Sequence, residues 1–300
     1  MNKIKKSLVI GPFGFGKNHI RQYLKNNFQK IFLLSKNPNS CLKKKNSLTI
    51  SKKNEGKIIC FKKKSLKDFS KNSFISICSP NETHHLYLKN KYILNNKILC
   101  EKPLIWNKND DLKKQLLSST DFLLKSKGKT IFNDFSKYYT SQIKKIEKFS
   151  KIKSISINYT VKSSTEKNLS VDLLIHLIAI TQGFIEISDN LKIIKIIKIK
   201  NLHYYEFYIG KTKVKYRLSN KNINQSILKI KINKSLYTRK HVNINNELNV
   251  FFQKKSKKFH VKNPFELGFN FFLNSSTNQR KVNLVKQIKN IKLFFKLLSA

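Results

Sequence analysis

Three of the chain's 8 glycines fall within one short segment, directly after an apolar run. The segment Gly11-Pro12-Phe13-Gly14-Phe15-Gly16 follows the apolar residues 7–10 and precedes a helical pattern over residues 17–27. Glycines between a strand and a helix let the backbone approach a ligand closely, and the free N–H groups at the helix start favour negative charge. The segment therefore predicts a strand, a turn and a helix that together can hold a diphosphate.

Short apolar runs and helical patterns alternate through the first part of the chain. The runs lie at residues 7–10, 31–34, 57–61, 74–78, 97–100 and 130–132, and amphipathic stretches lie at residues 81–95 and 110–125. Residues 36–54 are polar and indicate a weak helix or a long loop. Strands that alternate with helices predict a parallel sheet that binds ligands at the carboxyl ends of its strands.

After about residue 128 the pattern changes to strands with few helices. Strand patterns cover residues 151–161, 190–199, 203–209, 213–218 and 225–232, and helical patterns cover residues 171–181 and 282–298. The predicted fold class is α/β with two domains. Residues 1–127 are predicted to form a Rossmann domain with a doubly wound parallel sheet, and residues 128–300 an α+β domain with a largely antiparallel open sheet.

The formal net charge of +46 is carried almost entirely by lysine. Of 62 basic residues only Arg21, Arg217, Arg239 and Arg280 are arginine, and the lysines are spread along the whole chain. Base readout and phosphate clamping favour the rigid guanidinium, so this composition argues against specific nucleic-acid binding. The enriched residue types share A/T-rich codons, which indicates compositional drift. Non-specific binding of polyanions at low salt remains a consequence of the charge.

The four cysteines, Cys41, Cys60, Cys78 and Cys100, show neither a CxxC spacing nor paired histidine ligands. We therefore expect a cytoplasmic protein without a disulfide framework and without a bound metal. Cys78 and Cys100 lie in apolar runs and are expected to be buried thiols. The apolar run after the basic start ends at residue 11, too soon for a membrane span, so no membrane association is expected.

The glycine segment differs from a dinucleotide fingerprint at one position. That fingerprint has glycine at its first, third and sixth positions, but Phe13 stands at the second of these three, where a side chain obstructs the phosphates. Gly14, one residue later, can supply the close approach if the loop shifts. Candidate cofactor contacts are Gly11, Phe13, Gly14, Phe15 and Gly16; an ordinary strand–helix turn is the alternative.

The second predicted strand leads into Ser35 and Lys36, where an NAD enzyme usually has Asp or Glu for the ribose hydroxyls. A hydroxyl and an ammonium can accept a 2′-phosphate that a carboxylate would repel. These residues therefore favour NADP slightly over NAD. A chance lysine is the alternative in a chain so rich in this residue.

Two polar motifs follow strands at the same predicted sheet edge. One is Ser79-Pro80-Asn81 with His84 shortly after, and the other is Glu101-Lys102-Pro103. The first would lie near the nicotinamide half of a dinucleotide, while Lys102 would emerge from a strand end in a turn fixed by Pro103. The structural alternatives are Asn81 as a helix cap and Lys102 as one more solvated lysine.

Asp172 and His176 are spaced i, i+4 in the helical pattern at residues 171–181, whose other residues are mostly Leu, Ile and Ala. This spacing places the carboxylate and the imidazole on one face of the helix. Polar groups on an apolar helix need partners or a cleft. A locally satisfied polar pair is the alternative to a functional pair.

Together these motifs resemble the Gfo/Idh/MocA family of NAD(P)-dependent oxidoreductases over about residues 7–180. The pattern comprises the glycine turn through His19, the segment from Ser79 to His84, the run from Cys100 to Leu104, and the Asp172-x-x-x-His176 helix. Such proteins have an N-terminal Rossmann domain and a second domain whose open sheet often forms oligomer interfaces. The resemblance therefore implies a homo-oligomer, a dimer or a tetramer.

The resemblance also implies a hydride transfer between NADP or NAD and a sugar, a cyclitol or a nucleotide sugar. Lys102 would polarise the reacting oxygen, His176 would be the general acid/base, and Asp172 would orient it or hold substrate. Glu101 joins the candidate cofactor contacts with Ser79, Pro80, Asn81, His84 and Lys102. Phe13 departs from the family pattern and motivates the alternative of a catalytically silent dinucleotide-binding regulator of the same fold.

Overall fold

The computed structural model describes residues 4–45, 48, 51–61, 66–67, 69, 73–162, 169–244 and 247–300. The chain forms two compact units. The first contains Met1–Asn133 and Phe269–Gln287, and the second contains Asp134–Gly268 and Ile288–Ala300. The domain limits 1–127 and 128–300 stay predictions.

The first unit is built on a six-stranded parallel sheet. Its strands are β1 (Lys6–Ile10), β2 (Lys30–Leu34), β3 (Ile58–Phe61), β4 (Phe74–Ile77), β5 (Lys97–Cys100) and β6 (Thr130–Phe132), in the order β3-β2-β1-β4-β5-β6. Each strand coincides with a predicted apolar run, because parallel strands covered on both faces are continuously apolar. The order changes direction between β1 and β4, beside the glycine turn, which is where doubly wound sheets bind ligands.

The helices that connect these strands match the sequence patterns unevenly. They are α1 (Gly16–Lys25), α2 (Pro38–Lys45), α3 (Lys52–Glu55), α4 (His84–Leu88), α5 (Lys91–Leu94) and α6 (Leu112–Lys125). The prediction of one helix over residues 81–95 is wrong. A short 3-10 helix (Asn81–Thr83) precedes α4, and Asn90 adopts an extended conformation and caps α5 by accepting a hydrogen bond from the Tyr92 amide. Pro80 and Thr83, not Asn81, occupy the cap positions before the 3-10 helix and before α4.

The second unit is built on an eight-stranded sheet. Its strands are β7 (Ser154–Lys162), β8 (Leu191–Ile199), β9 (Leu202–Ile209), β10 (Thr212–Lys221), β11 (Ile227–Ile232), β12 (Ser235–Ile244), β13 (Glu247–Lys254) and β14 (Lys257–Val261). The order is β14-β13-β12-β11-β7-β10-β9-β8; β7 and β10 pair in parallel, and the other neighbours pair antiparallel. The predicted fold class, a parallel Rossmann sheet with a second, largely antiparallel sheet, is confirmed.

Helices α7 (Lys137–Ile146) and α8 (Leu169–Phe184) belong to the second unit, while α9 (Pro264–Asn274) and α10 (Thr277–Ser299) contribute residues to both units. The sequence patterns indicated α8 and α10 but neither α7 nor the strands β12 to β14. In α7 the buried face includes the polar residues Tyr139 and Thr140, so no apolar helical pattern stands out in the sequence. In β12 the buried Arg239 interrupts the apolar–polar alternation. Within the described ranges, no helix is long and apolar enough to cross a membrane.

The expectation of four unpaired cysteines is wrong. Cys41 in α2 and Cys60 in β3 form a disulfide, with their Cα atoms 6.1 Å apart. Helix α2 packs against β3 and brings the two residues together across 19 positions of sequence, a separation without any local signature. Cys78 and Cys100 are free; Cys100 is buried and Cys78 half-buried. Burial raises the pKa of both thiols well above the usual range, so both remain protonated.

Candidate functional site

Four residues extend the parallel sheet by one position at its carboxyl edge. The backbone amides of Gly11, Cys78, Glu101 and Asn133 each donate to the carbonyl of the last residue of a neighbouring strand, at 2.8–3.0 Å. These four residues therefore form one row across the sheet. The glycine turn, the segment after β4 and the segment after β5 meet along this row, as the alternation of strands and helices predicted.

The glycines of the turn have two different tasks. Gly11 has a φ of +74°, and a Cβ there would lie 2.6 Å from the Ser79 amide nitrogen. A Cβ on Gly16 would lie 2.3 Å from the Gly11 carbonyl oxygen, so both positions exclude side chains for the sake of packing. Gly14 also has a positive φ, +86°, but a Cβ there would meet nothing within 4 Å. The backbone at Gly14 is therefore open, as the close approach of a diphosphate requires.

The two phenylalanines of the turn have separate surroundings. Phe13 is half-buried, and the Lys44 ammonium of α2 lies 5.7 Å from the centre of its ring. Phe15 is 46% exposed and packs edge-on against His19, with ring centroids 5.8 Å apart. Because Phe13 has a neighbour on α2, its side chain can occupy the second fingerprint position while Gly14 provides the open backbone.

Ser35 and Lys36 follow β2 at the same edge of the sheet. Ser35 is half-buried and Lys36 is exposed. The Gly11 amide donates to the carbonyl of Leu34, the residue before Ser35, at 3.0 Å. The backbone thus holds the glycine turn next to the end of β2, as a dinucleotide site that spans both segments requires.

The segment after β4 is tied to the turn after β5 by His84. One ring nitrogen of His84 lies 2.9 Å from the carbonyl oxygen of Ser79 and the other lies 2.9 Å from that of Pro103. Burial lowers the pKa of His84, and a neutral imidazole donates to only one of these carbonyls at a time. Ser79 and Asn81 are half-buried and Pro80 is exposed. His84 is therefore a link between the two polar motifs, with a backbone carbonyl next to each of its ring nitrogens.

Glu101 is the centre of a hydrogen-bond network at the carboxyl edge. His19 of α1 lies 2.9 Å from the Glu101 carboxylate through Nε2, and the Asn133 amide nitrogen donates to both carboxylate oxygens at 3.0 Å. The Nδ1 atom of His19 lies 2.9 Å from the Ser76 hydroxyl, which in turn contacts the Tyr23 hydroxyl at 2.9 Å. An ionised Glu101 decides which atoms donate in this row of hydrogen bonds. A carboxylate only accepts, so His19 must donate to it.

The charge of Glu101 is retained despite its burial. Burial alone would raise the pKa of this carboxyl, but the hydrogen bonds from His19 and Asn133 and the positive charge of Lys102 hold it below its usual value. Lys102 itself is half-buried and directly follows Glu101, in a turn closed by a cis Lys102–Pro103 peptide. The network thus anchors the backbone from which the Lys102 side chain extends.

His19, Cys78 and Glu101 also form a group of three potential metal ligands, with ligand atoms within 4.8 Å of one another. Both nitrogens of His19 are engaged in hydrogen bonds, and the raised pKa of Cys78 keeps its sulfur in the thiol form, which is a poor ligand. The hydrogen-bond network accounts for this arrangement without an ion. The expectation of no metal stays a prediction.

The second unit contains the Asp172–His176 pair on α8. Every residue of α8 from Leu169 to Thr181 is buried except these two, which are half-buried, so they mark the one accessible stripe of the helix. The Ser136 hydroxyl, at the start of α7, lies 2.8 Å from the Nδ1 atom of His176. Six residues before His176, Ser170 contacts both His203 and Tyr205 of β9, which fixes the start of α8 against the sheet.

The sequence patterns missed Ser76, Asn133 and Ser136, which hold His19, Glu101 and His176. Small polar residues are too common in loops to stand out. Asn133 carried one usable signal, since it directly follows the apolar run at residues 130–132 and so belongs to the same sheet edge as Glu101.

No model of a known protein family and no curated protein sequence matches the chain. Solved structures match its fold over nearly the whole length. UDP-N-acetylglucosamine 3-dehydrogenase GnnA from Acidithiobacillus ferrooxidans matches with a TM-score of 0.69 at 12% identity, covering 98% of this chain and 97% of that chain. A variant of KijD10, a 3-ketoreductase from Actinomadura kijaniata in complex with TDP-benzene and NADP, gives 0.70 at 9% identity, with 97% and 96% covered.

A third match is the apo scyllo-inositol dehydrogenase from Lactobacillus casei, with a TM-score of 0.66 at 16% identity and coverage of 99% and 96%. These structural neighbours are oxidoreductases of the Gfo/Idh/MocA type. The chain has the Gfo/Idh/MocA fold. At identities this low the similarity establishes the architecture, and the chemistry has to be argued from the residues of this chain.

The Glu101 network makes stability depend on pH. Because the pKa of Glu101 is lower in the folded chain than its usual value of 4.5, the carboxylate stabilises the fold above about pH 4.5 and less as the pH falls further. We expect Glu101→Gln to lower the free energy of unfolding by about 1–3 kcal/mol near neutral pH. Urea unfolding from about pH 7 to about pH 3 should show this difference shrinking in acid. A difference that is constant across that range would contradict the prediction.

Proposed function

We propose that the chain is an NAD(P)-dependent oxidoreductase that transfers a hydride between a nicotinamide cofactor and a hydroxyl or carbonyl carbon of a sugar, cyclitol or nucleotide sugar. The observation that carries the proposal is the row at the carboxyl edge of the parallel sheet. There the open glycine turn stands beside the anchored Glu101-Lys102 segment. Neighbours of the same fold that act on a nucleotide sugar and on an inositol support this substrate class.

The residues at the sheet edge fit a dinucleotide. Gly14 leaves its backbone open to a diphosphate, Ser35 and Lys36 can bind the ribose or its phosphate, and Ser79 to Asn81 border the nicotinamide half. When bound, the cofactor supplies or accepts the hydride. His84 and Glu101 hold the backbone of this site, and we assign them to positioning because their polar atoms are already engaged within the protein.

Proton handling is assigned to three side chains. Lys102 stabilises negative charge on the reacting oxygen, because hydride leaves a carbinol carbon only as the hydroxyl proton is removed. His176 takes or returns that proton, and the Ser136 hydroxyl that contacts its Nδ1 holds the imidazole ring in place. Asp172, on the same stripe of α8, orients His176 or holds a substrate hydroxyl.

The alternative of a silent regulator rested on Phe13. The contact between Phe13 and Lys44 and the open space at Gly14 remove the reason to expect a blocked cofactor site. We also propose a homo-oligomer, a dimer or a tetramer. The edge strand β8 has three exposed isoleucines, Ile194, Ile197 and Ile199, which give it an apolar surface suited to association.

Replacement of Lys102 tests the catalytic assignment. Lys102→Met should lower kcat by about 10²–10⁴-fold with a panel of sugars, inositols and nucleotide sugars, because the transition state loses its cation. NADPH affinity, followed by fluorescence, should change by a much smaller factor than kcat. Lys108→Met, at an exposed lysine a few residues away, is the matched control. Undiminished turnover in Lys102→Met would refute the assignment.

Gly14 is the position to test for the cofactor site. Gly14→Ala should raise the Kd for NADPH by about tenfold or more, because the new methyl group stands where the diphosphate approaches. Gly210→Ala is a close control, since Gly210 also has a positive φ, +56°, and open space around it. Both variants should lose similar stability in thermal unfolding. Equal NADPH affinity in the two variants would show that Gly14 does not contact the cofactor.

Cofactor preference should depend on Lys36. Lys36→Asp should weaken NADPH binding about tenfold to a hundredfold while sparing NADH, because a carboxylate repels the 2′-phosphate and accepts the ribose hydroxyls. Parallel fluorescence titrations with NADPH and NADH measure the shift. Lys43→Asp makes the same charge change at an exposed position of α2. If Lys36→Asp and Lys43→Asp have equal effects, the long-range field of the protein decides the preference.

A further inference from the structure

Arg239 of β12 is a buried cation without an acidic partner among the described residues. It is 8% exposed; a terminal guanidinium nitrogen donates to the Tyr139 hydroxyl at 3.3 Å, and the Tyr159 hydroxyl is a second hydrogen-bond partner. Its Nε atom is buried with no hydrogen-bond partner. A buried charge normally has a counter-ion and a buried N–H normally has an acceptor. Both groups are missing here in the part of the chain that the structure describes.

The acid that contacts the neighbouring residue on this face of β12 is already neutralised. Tyr237, two residues before Arg239, donates to Glu147, and the Lys254 ammonium lies 2.6 Å from the same carboxylate. The ammonium and the hydroxyl hold the pKa of Glu147 below its usual value. Glu147 is therefore committed to Lys254 and leaves Arg239 uncompensated.

Two tyrosine rings frame the guanidinium. Its central carbon lies 5.8 Å from the centre of the Tyr139 ring and 5.3 Å from that of the Tyr159 ring. Aromatic faces stabilise a partly desolvated guanidinium but do not satisfy its N–H groups. Tyr159, on β7, is half-buried whereas Tyr139 is buried, so Tyr159 is the more accessible wall. The group is a preformed cationic site with a free donor.

The position of Tyr139 connects this site to His176. Tyr139 lies in the first turn of α7, and its amide donates to the carbonyl of Ser136, whose hydroxyl contacts His176. Residues spaced i, i+3 on a helix have Cβ atoms about 5–6 Å apart. Arg239 is thus bound to a side chain that stands one helical turn from the contact of the proposed acid/base.

The residue type strengthens the argument. Lysine supplies nearly all of the positive charge of the chain, yet this buried position is one of four arginines. Arginine differs from lysine in offering a planar fork of donors that matches a carboxylate or a phosphate. A merely structural cation–π contact needs no such fork.

We propose that Arg239, with Tyr139 and Tyr159, forms an oxyanion-binding subsite that takes a carboxylate or phosphate group of the substrate. This inference rests on the proposed function, which it narrows to anionic substrates such as sugar acids, sugar phosphates or nucleotide sugars. A terminal N–H of Arg239 donates to the oxyanion, which also supplies the missing counter-charge.

The test compares binding of four probes at constant ionic strength by calorimetry. D-glucose is neutral, D-glucuronate carries a carboxylate, D-glucose 6-phosphate a phosphate monoester, and UDP-glucose a diphosphate. We expect at least one anion to bind about tenfold to a hundredfold more tightly than glucose, and this advantage to disappear in Arg239→Lys. Arg217→Lys, at an exposed arginine of the same sheet, should retain it. The anion that shows the advantage identifies the source of the oxyanion.

Two results would overturn the proposal: no anion binds more tightly than glucose, or Arg239→Lys retains the advantage. The Arg239→Met variant tests whether Arg239 is needed for the stability of the fold. Because no described carboxylate loses its partner in this variant, its thermal stability should stay the same or rise. If both Arg239 variants unfold at clearly lower temperatures than the unmodified protein, the arginine is a packing residue and the subsite is refuted. NADPH titration of the same samples separates this outcome from failure of the proposed function, since cofactor binding does not involve Arg239.

Discussion

The architecture of the first unit depends on one buried carboxylate at the carboxyl edge of the parallel sheet. Glu101 is held by a histidine from α1 and an amide from the residue after β6, and the histidine is held by a serine of β4. The charge can stay buried only while all of these donors are in place. Because Lys102 is the next residue, the ends of several strands and one helix jointly decide where that ammonium stands.

In the second unit, neutral hydroxyl groups rather than a carboxylate hold the candidate site residues in position. Asp172 and His176 occupy the single accessible stripe of a helix that is otherwise buried, and Ser136 and Ser170 fix the helix through hydroxyl contacts. The rigid placement of these side chains comes from packing on both sides of α8. Arg239 departs from this pattern. Two tyrosine rings stabilise its guanidinium, but no described carboxylate neutralises the charge.

The strands of the first unit could be predicted because their burial on both faces leaves continuous apolar runs, and the site followed from the rule that parallel strands end at one edge. Strand β12 could not, because Arg239 takes a buried position where alternation demands an apolar residue. The Cys41–Cys60 disulfide and the Asn133 and Ser136 contacts join residues that only the fold makes neighbours. Sequence patterns report local periodicity and carry little information about such pairings.

The glycines of the turn have a consequence for how this chain can have evolved. Its composition follows A/T-rich codons, whereas glycine codons begin with two guanines, so mutation steadily removes glycine. Of the 8 glycines, 7 either have a positive φ or stand where an added Cβ would lie less than 3 Å from a neighbouring atom. The exception is Gly56. Glycine thus remains almost only at positions where another residue would be strained or would clash. The positions of the remaining glycines therefore indicate where this backbone does not tolerate a side chain.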